Sequence, residues 1–490
     1  MGYPLNTLGT TLTAQIADIV TGGDAHVPAS PQSFLTWCAP GIPLAPEAFE
    51  FAASGIGTGK TAEDEKKLIN HAYNWAQLVD FVPDVTAAYN NERQQGMFRP
   101  DAQARLSTIY GDILRFAKVV DKELTPAEQA KLEKFRGLLS TKKKVKDIIT
   151  DEETEVTEDS PMLKAYYAKQ AAYIAAALQY NAKRIAAQSA TGKSGKPAVA
   201  DWANNAELYR LQVKSAADAW TAAGYRNEVD AINAYINNIG RRNMMAWKQG
   251  LVERYDEAVL NGTAPGQKFH YTTVIPGDFA KSNGWTGYSM SHETTHSTTE
   301  SDSKSWSASG GLSLGIFNIG GQASGESSKY TGNYELSSFK LSLELCQAIV
   351  CRSWFEGAFF QNRGWTLRKG EGWLYESMPS DGNVPPNGPN GQCIGFPTIA
   401  LFARNIRIES KEFVSAYREE RSRVGGGGAV GYGPFMLGGT YSSAHGETQL
   451  DTEDTDSTLT VNGMQLIGFV NHLLPKSPNP LPELKDEDFA

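Results

Sequence analysis

Gly315-Ile316-Phe317-Asn318-Ile319-Gly320-Gly321 returns as Gly433-Pro434-Phe435-Met436-Leu437-Gly438-Gly439, 118 residues on and without a gap. The match extends in both directions at that offset. Gly310 aligns with Gly428, Leu312 with Val430 and Ser324 with Ser442. Further on, Leu341 aligns with Leu459, Leu343 with Val461, Gln347 with Gln465 and Ile349 with Ile467. Phe339, Leu341, Leu343 and Leu345 alternate with Lys340, Ser342 and Glu344, the period of a half-buried strand. A glycine-rich tip can recur by chance; a strand in register twenty residues later is a stricter match. The reading is a duplicated β unit, about 286–354 and 404–472.

Each unit has one plan. A polar arm leads to a glycine-flanked apolar tip, a Ser/Thr-rich arm returns, and an alternating strand enters the core. The first tip holds Leu312, Leu314, Phe317 and Ile319; the second holds Tyr432, Phe435, Met436 and Leu437. Gly310, Gly311, Gly315, Gly320 and Gly321, and then Gly428, Gly433, Gly438 and Gly439, supply the positive φ and sharp bends of such hairpins. Three uses follow. The tips can fold back onto the protein's own core. They can anchor in a neighbouring copy, where aromatic side chains carry much of an interface. Or they can enter a membrane.

The layout resembles β-pore-forming proteins in outline: long Ser/Thr-rich arms, an apolar tip and a helical body. That resemblance implies hairpins released from a soluble body into a barrel that oligomerisation closes. The tryptophan/tyrosine-Gly-Thr-His block of perforin-type proteins is absent. The arm over 289–304 has almost no apolar position and carries Glu293, Glu300, Asp302 and Lys304, which makes it a poor lipid-facing strand. Arm polarity therefore favours a non-enzymatic, self-assembling protein that forms a homo-oligomer through its tips. A membrane-inserting pore-former is the alternative.

Upstream, the period is helical. Leu68, Ile69, Ala72, Trp75, Ala76 and Val79 form one stripe; Leu106, Ile109, Ile113, Leu114, Phe116 and Val120 form another. Longer helices are expected over 160–188, 201–223 and 226–260, packed as a bundle through Leu163, Tyr167, Ile174, Leu178, Leu208, Leu211 and Trp220. Lys142, Lys143, Lys144 and Lys146 end a helix, and the acidic run 151–159 reads as a solvated linker. The fold class is α+β. An irregular segment 1–60 precedes a helical domain 61–260, an antiparallel β domain 261–475 and a mobile acidic tail 476–490.

Composition narrows the function. The 490 residues carry a formal charge of −9, against the basic face that nucleic-acid binding needs. The N-terminus has neither a basic n-region nor an apolar h-region, and no run reaches the ~18 apolar residues of a membrane helix. The expectation is a protein made in the cytoplasm, with leaderless export still compatible. Cys38, Cys346, Cys351 and Cys393 show no metal-ligand spacing and read as packed thiols.

Two motifs invite chemistry. Gly55-Ile56-Gly57-Thr58-Gly59-Lys60-Thr61 resembles a P-loop but has Ser54 at the first glycine position; Thr61 reads better as a helix N-cap. His292-Glu293-Thr294-Thr295-His296 fits H-E-x-x-H, which binds zinc only when a helix brings both histidines to one face. Its β-branched, polar flanks speak against a helix. A zinc hydrolase through His292 and His296 is the third reading, and no cofactor is expected.

Overall fold

A computed structural model describes residues 3–4, 8–9, 12–13, 16–17, 20, 32–84, 95–98, 104–120, 126–146, 153–188, 192–291, 317–319, 328–330, 335–368, 370–373, 375–384, 388–424, 428–443 and 446–489. The fold mixes helices with predominantly antiparallel sheets, as the α+β reading expects. The chain divides into two units. The first holds 1–117, 251–361 and 367–479; the second holds 118–250, 362–366 and 480–490. The division departs from the expected boundary near residue 260: both amphipathic helices before residue 117 fall in the unit that holds the main sheet.

In the first unit, the strands that matter are β1 (Ser33–Leu44), β2 (Gln95–Met97), β3 (Thr286–Ser291), β4 (Phe317–Ile319), β5 (Lys340–Cys351), β6 (Gly395–Glu409), β7 (Val430–Tyr432), β8 (Phe435–Ser443) and β9 (Thr458–Leu473). The main sheet runs β3-β5-β6-β9-β1-β2, antiparallel except at the β1–β2 edge. The strand between β9 and the short edge strand β2 is unexpected. The segment 1–60, read as irregular, supplies β1, a strand of twelve residues. SFLTWCAPGIPL lies between other elements on both faces, so it is nearly continuously apolar and shows no alternation to read.

Register shifts align in two rows: Leu401/Phe402 on β6 level with Trp37/Ile42 on β1, and Ser342/Glu344 on β5 level with Arg404/Ile406 on β6 and Val461/Met464 on β9. Asn405 and Gly463 take positive φ there, at 55° and 104°. Bulges aligned in a row bend a sheet and raise its twist. One face packs on α1 (Ala62–Val79), through Leu68, Ala72, Trp75, Ala76 and Val79 against Phe402, Leu466 and Phe469. Thr61 caps this helix by accepting from the Asp64 N–H at 3.1 Å, as expected. The other helix, α2 (Leu106–Phe116), buries Leu106, Ile109, Ile113 and Leu114. Trp354, Phe359 and Phe360 are core residues beneath a loop.

In the second unit, the helices Pro161–Gln188 and Gly192–Ala223 form a long pair. Their shared face is not the expected aliphatic stripe. Tyr166 and Tyr173 pack on Trp220 at 5.2 and 5.6 Å, and Tyr180 packs on Trp202 at 5.3 Å. Tyr167, Ile174, Leu178, Leu208 and Leu211 are exposed. Tyrosines seven apart satisfy a helix seam with fewer apolar residues than a bundle core requires, so aliphatic spacing selected the wrong face. The supposed charged linker is instead a hairpin, Ser140–Lys146 with Glu153–Asp159, whose register sets Lys144 opposite Glu155 and Lys146 opposite Glu153.

The expected mobile tail is held in place. Ser477 is buried in the first unit and exchanges backbone hydrogen bonds with Ser380. In the second unit, the Leu481 N–H donates to Arg363 O at 3.1 Å, and Phe489 bridges to Val120. No described helix is long and apolar enough to cross a membrane.

Candidate functional site

Four consecutive strands, β3, β5, β6 and β9, place two insertions at one end of the sheet. Ser291, Lys340, Glu409 and Thr458 stand side by side in register as the last row of β3, β5, β6 and β9. Between β3 and β5 lie the 48 residues 292–339; between β6 and β9 lie the 48 residues 410–457. Both insertions therefore leave and re-enter through the same row.

Their tips meet. β4, from the first insertion, pairs antiparallel with β7 from the second, with Phe317 opposite Tyr432 and Ile319 opposite Val430. β7 turns directly into β8 through Gly433-Pro434, with Tyr432 opposite Phe435. Gly433 takes φ 59°, the positive value that such a turn demands. The second insertion also forms α3 (Lys411–Val424), which buries Phe413, Val414, Ala416, Tyr417 and Glu420.

The tip register has a particular relation to the stem. Twenty-three residues along each strand from Lys340↔Glu409 lie Phe317 and Tyr432, which are opposed. Twenty-three residues from Glu409↔Thr458 lie Tyr432 and Phe435, which are also opposed. The same step from Ser291↔Lys340 reaches Leu314 and Phe317, separated by Gly315-Ile316. The tip pairs nearest the turn thus keep the register that the stem strands would have if they ran on unbroken; a one-residue bulge shifts Val430 to Gly438.

Of the sequence-selected tip residues, Phe317, Tyr432, Phe435, Met436 and Leu437 are each at most 2% exposed. They belong to one cluster with the stem residues Leu341, Ile406, Ile408, Leu459 and Val461. In this conformation these five side chains are core, not contacts displayed to a neighbour. Apolar groups of this size leave water for the nearest apolar face, which here is the stem. Of Ile319 only the backbone is described. Leu312, Leu314, Gly310, Gly311, Gly315, Gly320 and Gly321 lie outside the described residues, as do His292, Glu293 and His296. Among the described residues no group of three or more His, Cys, Asp or Glu gathers as for a metal.

Two contacts hold the second tip. Gln465, fully buried on β9, accepts from the Met436 N–H at 2.7 Å and donates to Met436 O at 3.1 Å. It imitates a strand partner for that residue. Gly431 lets the tip approach β1, since a Cβ there would lie 2.5 Å from the Pro40 Cβ. Neither contact is visible in the sequence. A longer signal was legible but not read: 305–325 and 424–444 are each 21 residues without an acidic or basic side chain. The first is bounded by Lys304 and Glu326.

Glu420 is anomalous. Its carboxylate is fully buried on α3; Oε1 accepts from Arg423 Nη1 at 2.9 Å, and Oε2 finds no hydrogen-bond partner among the described residues. Burial pushes its pKa above the ordinary carboxylate value, Arg423 opposing and Glu419 adding to the rise. A raised folded-state pKa means that the folded form binds the proton more readily than the unfolded chain. Stability is then lowest while Glu420 is charged, and it grows as pH falls through the folded pKa toward the unfolded value of about 4.3. Glu420→Gln is expected to raise the urea midpoint at neutral pH and to flatten its rise on acidification. A Glu420→Gln curve parallel to wild type removes this account.

The P-loop-like segment is filled by the chain itself. Glu65 accepts from the N–H groups of Gly57 at 2.7 Å and Gly59 at 3.0 Å, which occupies the donors a phosphate would use. The cysteines are free thiols, with Cys38 and Cys393 buried. No family model, curated protein or solved structure matches this chain.

Proposed function

We propose that this protein inserts into membranes by converting its two insertions from core-packed folds into extended β-hairpins, and that several copies close the resulting ribbons into a pore. The observation that carries the reading is the shared register. Apart from the bulge at Val430, β4, β7 and β8 oppose one another as they would in unbroken extensions of β5, β6 and β9. Extension then needs the intervening stretches 320–339, 410–429 and 444–457 (20, 20 and 14 residues), α3 included, to straighten, and needs β4 to leave Ser328–Tyr330 and β8 to leave Gly446–Leu450, while β4, β7 and β8 keep one another. Twenty-three residues of strand reach about 75 Å.

The sequence along those extensions supports the same reading. The final nine positions of each arm (306–314, 317–325, 424–432 and 435–443) contain no charged residue. Nine tilted residues span a bilayer's hydrocarbon core. Within 306–314, Trp306, Ala308, Leu312 and Leu314 alternate with Ser307, Ser309, Gly311 and Ser313. Leu314, Phe317, Tyr432 and Phe435 fall in one row and so on one face of the ribbon. The polar arm with Glu293, Glu300, Asp302 and Lys304 lies outside those nine positions and becomes the aqueous wall between bilayer and body. Its polarity therefore ceases to be an objection.

Oligomerisation follows from backbone chemistry. A four-stranded ribbon has two open edges, which lipid cannot satisfy, and single-chain barrels begin at about eight strands. The partner is a second copy of this chain, the expectation first attached to the tips and here attached to the ribbon edges. The test is dye release from sealed vesicles of zwitterionic and of anionic lipid, with the mass of the lipid-bound species measured after detergent extraction. Release by an oligomer is expected; intact vesicles across both compositions sink the proposal.

A further inference from the structure

We infer that the N-terminal segment is a strap that holds the first insertion shut; this rests on the insertion reading above. Tyr3 pairs with Leu336 and Pro4 with Glu335, in the return arm just before β5. Leu8, Leu12 and Ile16 are each at most 1% exposed, and their spacing of four puts them on one helical face. They join the cluster that contains Phe317, Leu336, Phe339 and Phe413, residues of both insertions. Thr13, also fully buried, satisfies its hydroxyl by donating to Gly9 O at 2.9 Å.

Two things follow. For the first insertion to extend, residues 335–336 must pair with the continuations of β3 and β6, and a strand has only two edges. Tyr3 and Pro4 occupy one of them. The apolar face of the strap also covers the residues that must leave the core. The strap therefore has to depart before the arm can straighten, and extension of the first insertion is gated by a segment more than 300 residues away in sequence.

The test uses the full chain in two variants. Pro4→Cys with Glu335→Cys, joined by a disulfide, ties the strap to the arm. Leu8→Asp with Leu12→Asp frees it. The first readout is amide hydrogen exchange over 335–339 without lipid; the second is vesicle leakage. The tied form is expected to exchange at least tenfold more slowly there and to lose leakage until a reductant is added, which leaves wild type unchanged. The freed form is expected to exchange at least tenfold faster and to leak at lower protein concentration. A tied form that exchanges like wild type overturns the strap, even if the freed variant does not fold. The expected exchange changes with no leakage from any form uphold the strap and refute membrane insertion. Leakage from the tied form equal to wild type before reduction refutes the strap and leaves insertion standing.

Discussion

Leu314→Arg is expected to lower vesicle leakage by up to about fivefold, while Ser313→Arg stays near wild type. The contrast comes from the two faces of an extended strand. Leu314 falls on the row that also holds Phe317, Tyr432 and Phe435, and Ser313 falls on the opposite, small and polar face. Leu314 closes its nine-residue span beside the turn, where a lipid-facing arginine costs up to about 1 kcal/mol, and each ~1.4 kcal/mol is tenfold. A lumen-facing arginine keeps its water. Both positions lie outside the described residues, so the comparison rests on sequence alternation and counted register. Equal loss in both variants, or in neither, refutes the assigned face. If both variants keep the wild-type urea midpoint, the effect belongs to insertion and not to folding.

Gln465→Leu is expected to destabilise the fold by roughly 2–5 kcal/mol and to shorten the lag before leakage. The side chain is fully buried and satisfies both backbone groups of Met436 at the second tip. Leucine fills similar volume but leaves a buried N–H and a buried C=O without partners, each costing about 1–3 kcal/mol. The strain falls where the tip docks on β1, through the close approach of Gly431 to Pro40. The tip should therefore detach before the unit unfolds, and the Met436 amide should exchange faster in the variant. Gln347→Leu is the control. Gln347 aligns with Gln465 at the 118-residue offset, yet it is exposed, and its substitution should shift the urea midpoint negligibly. Indistinguishable midpoints for Gln465→Leu and Gln347→Leu count against the latch.

Both experiments turn on how far the sequence could be read. The stripes of α1 and α2 were legible because one face of each helix is buried and the other is wet, so the period survives in the residue types. β1 was not legible, because burial on both faces erases alternation. The pair Pro161–Gln188 and Gly192–Ala223 was legible as helices, but its seam was misassigned: tyrosines and tryptophans carry it while leucines stay exposed. The tip residues were singled out by their apolar side chains and glycine flanks. Their place in the core, however, depends on the stem face that lies beneath them.

The sequence by itself determined the local chemistry: where strands alternate, where glycine permits a tight turn, and where two 21-residue stretches lack charge. These are properties of neighbouring residues, and neighbours are what a sequence records. Only the tertiary structure decided that both insertions leave one row of the sheet, that their tips pair in the stem's own register, and that Tyr3 and Pro4 close over Glu335 and Leu336. It alone separates Gln465 from Gln347, which align at the 118-residue offset. Each of those facts joins residues far apart in the chain, and the hydrophobic effect that brings them together carries no direction until the whole core has formed.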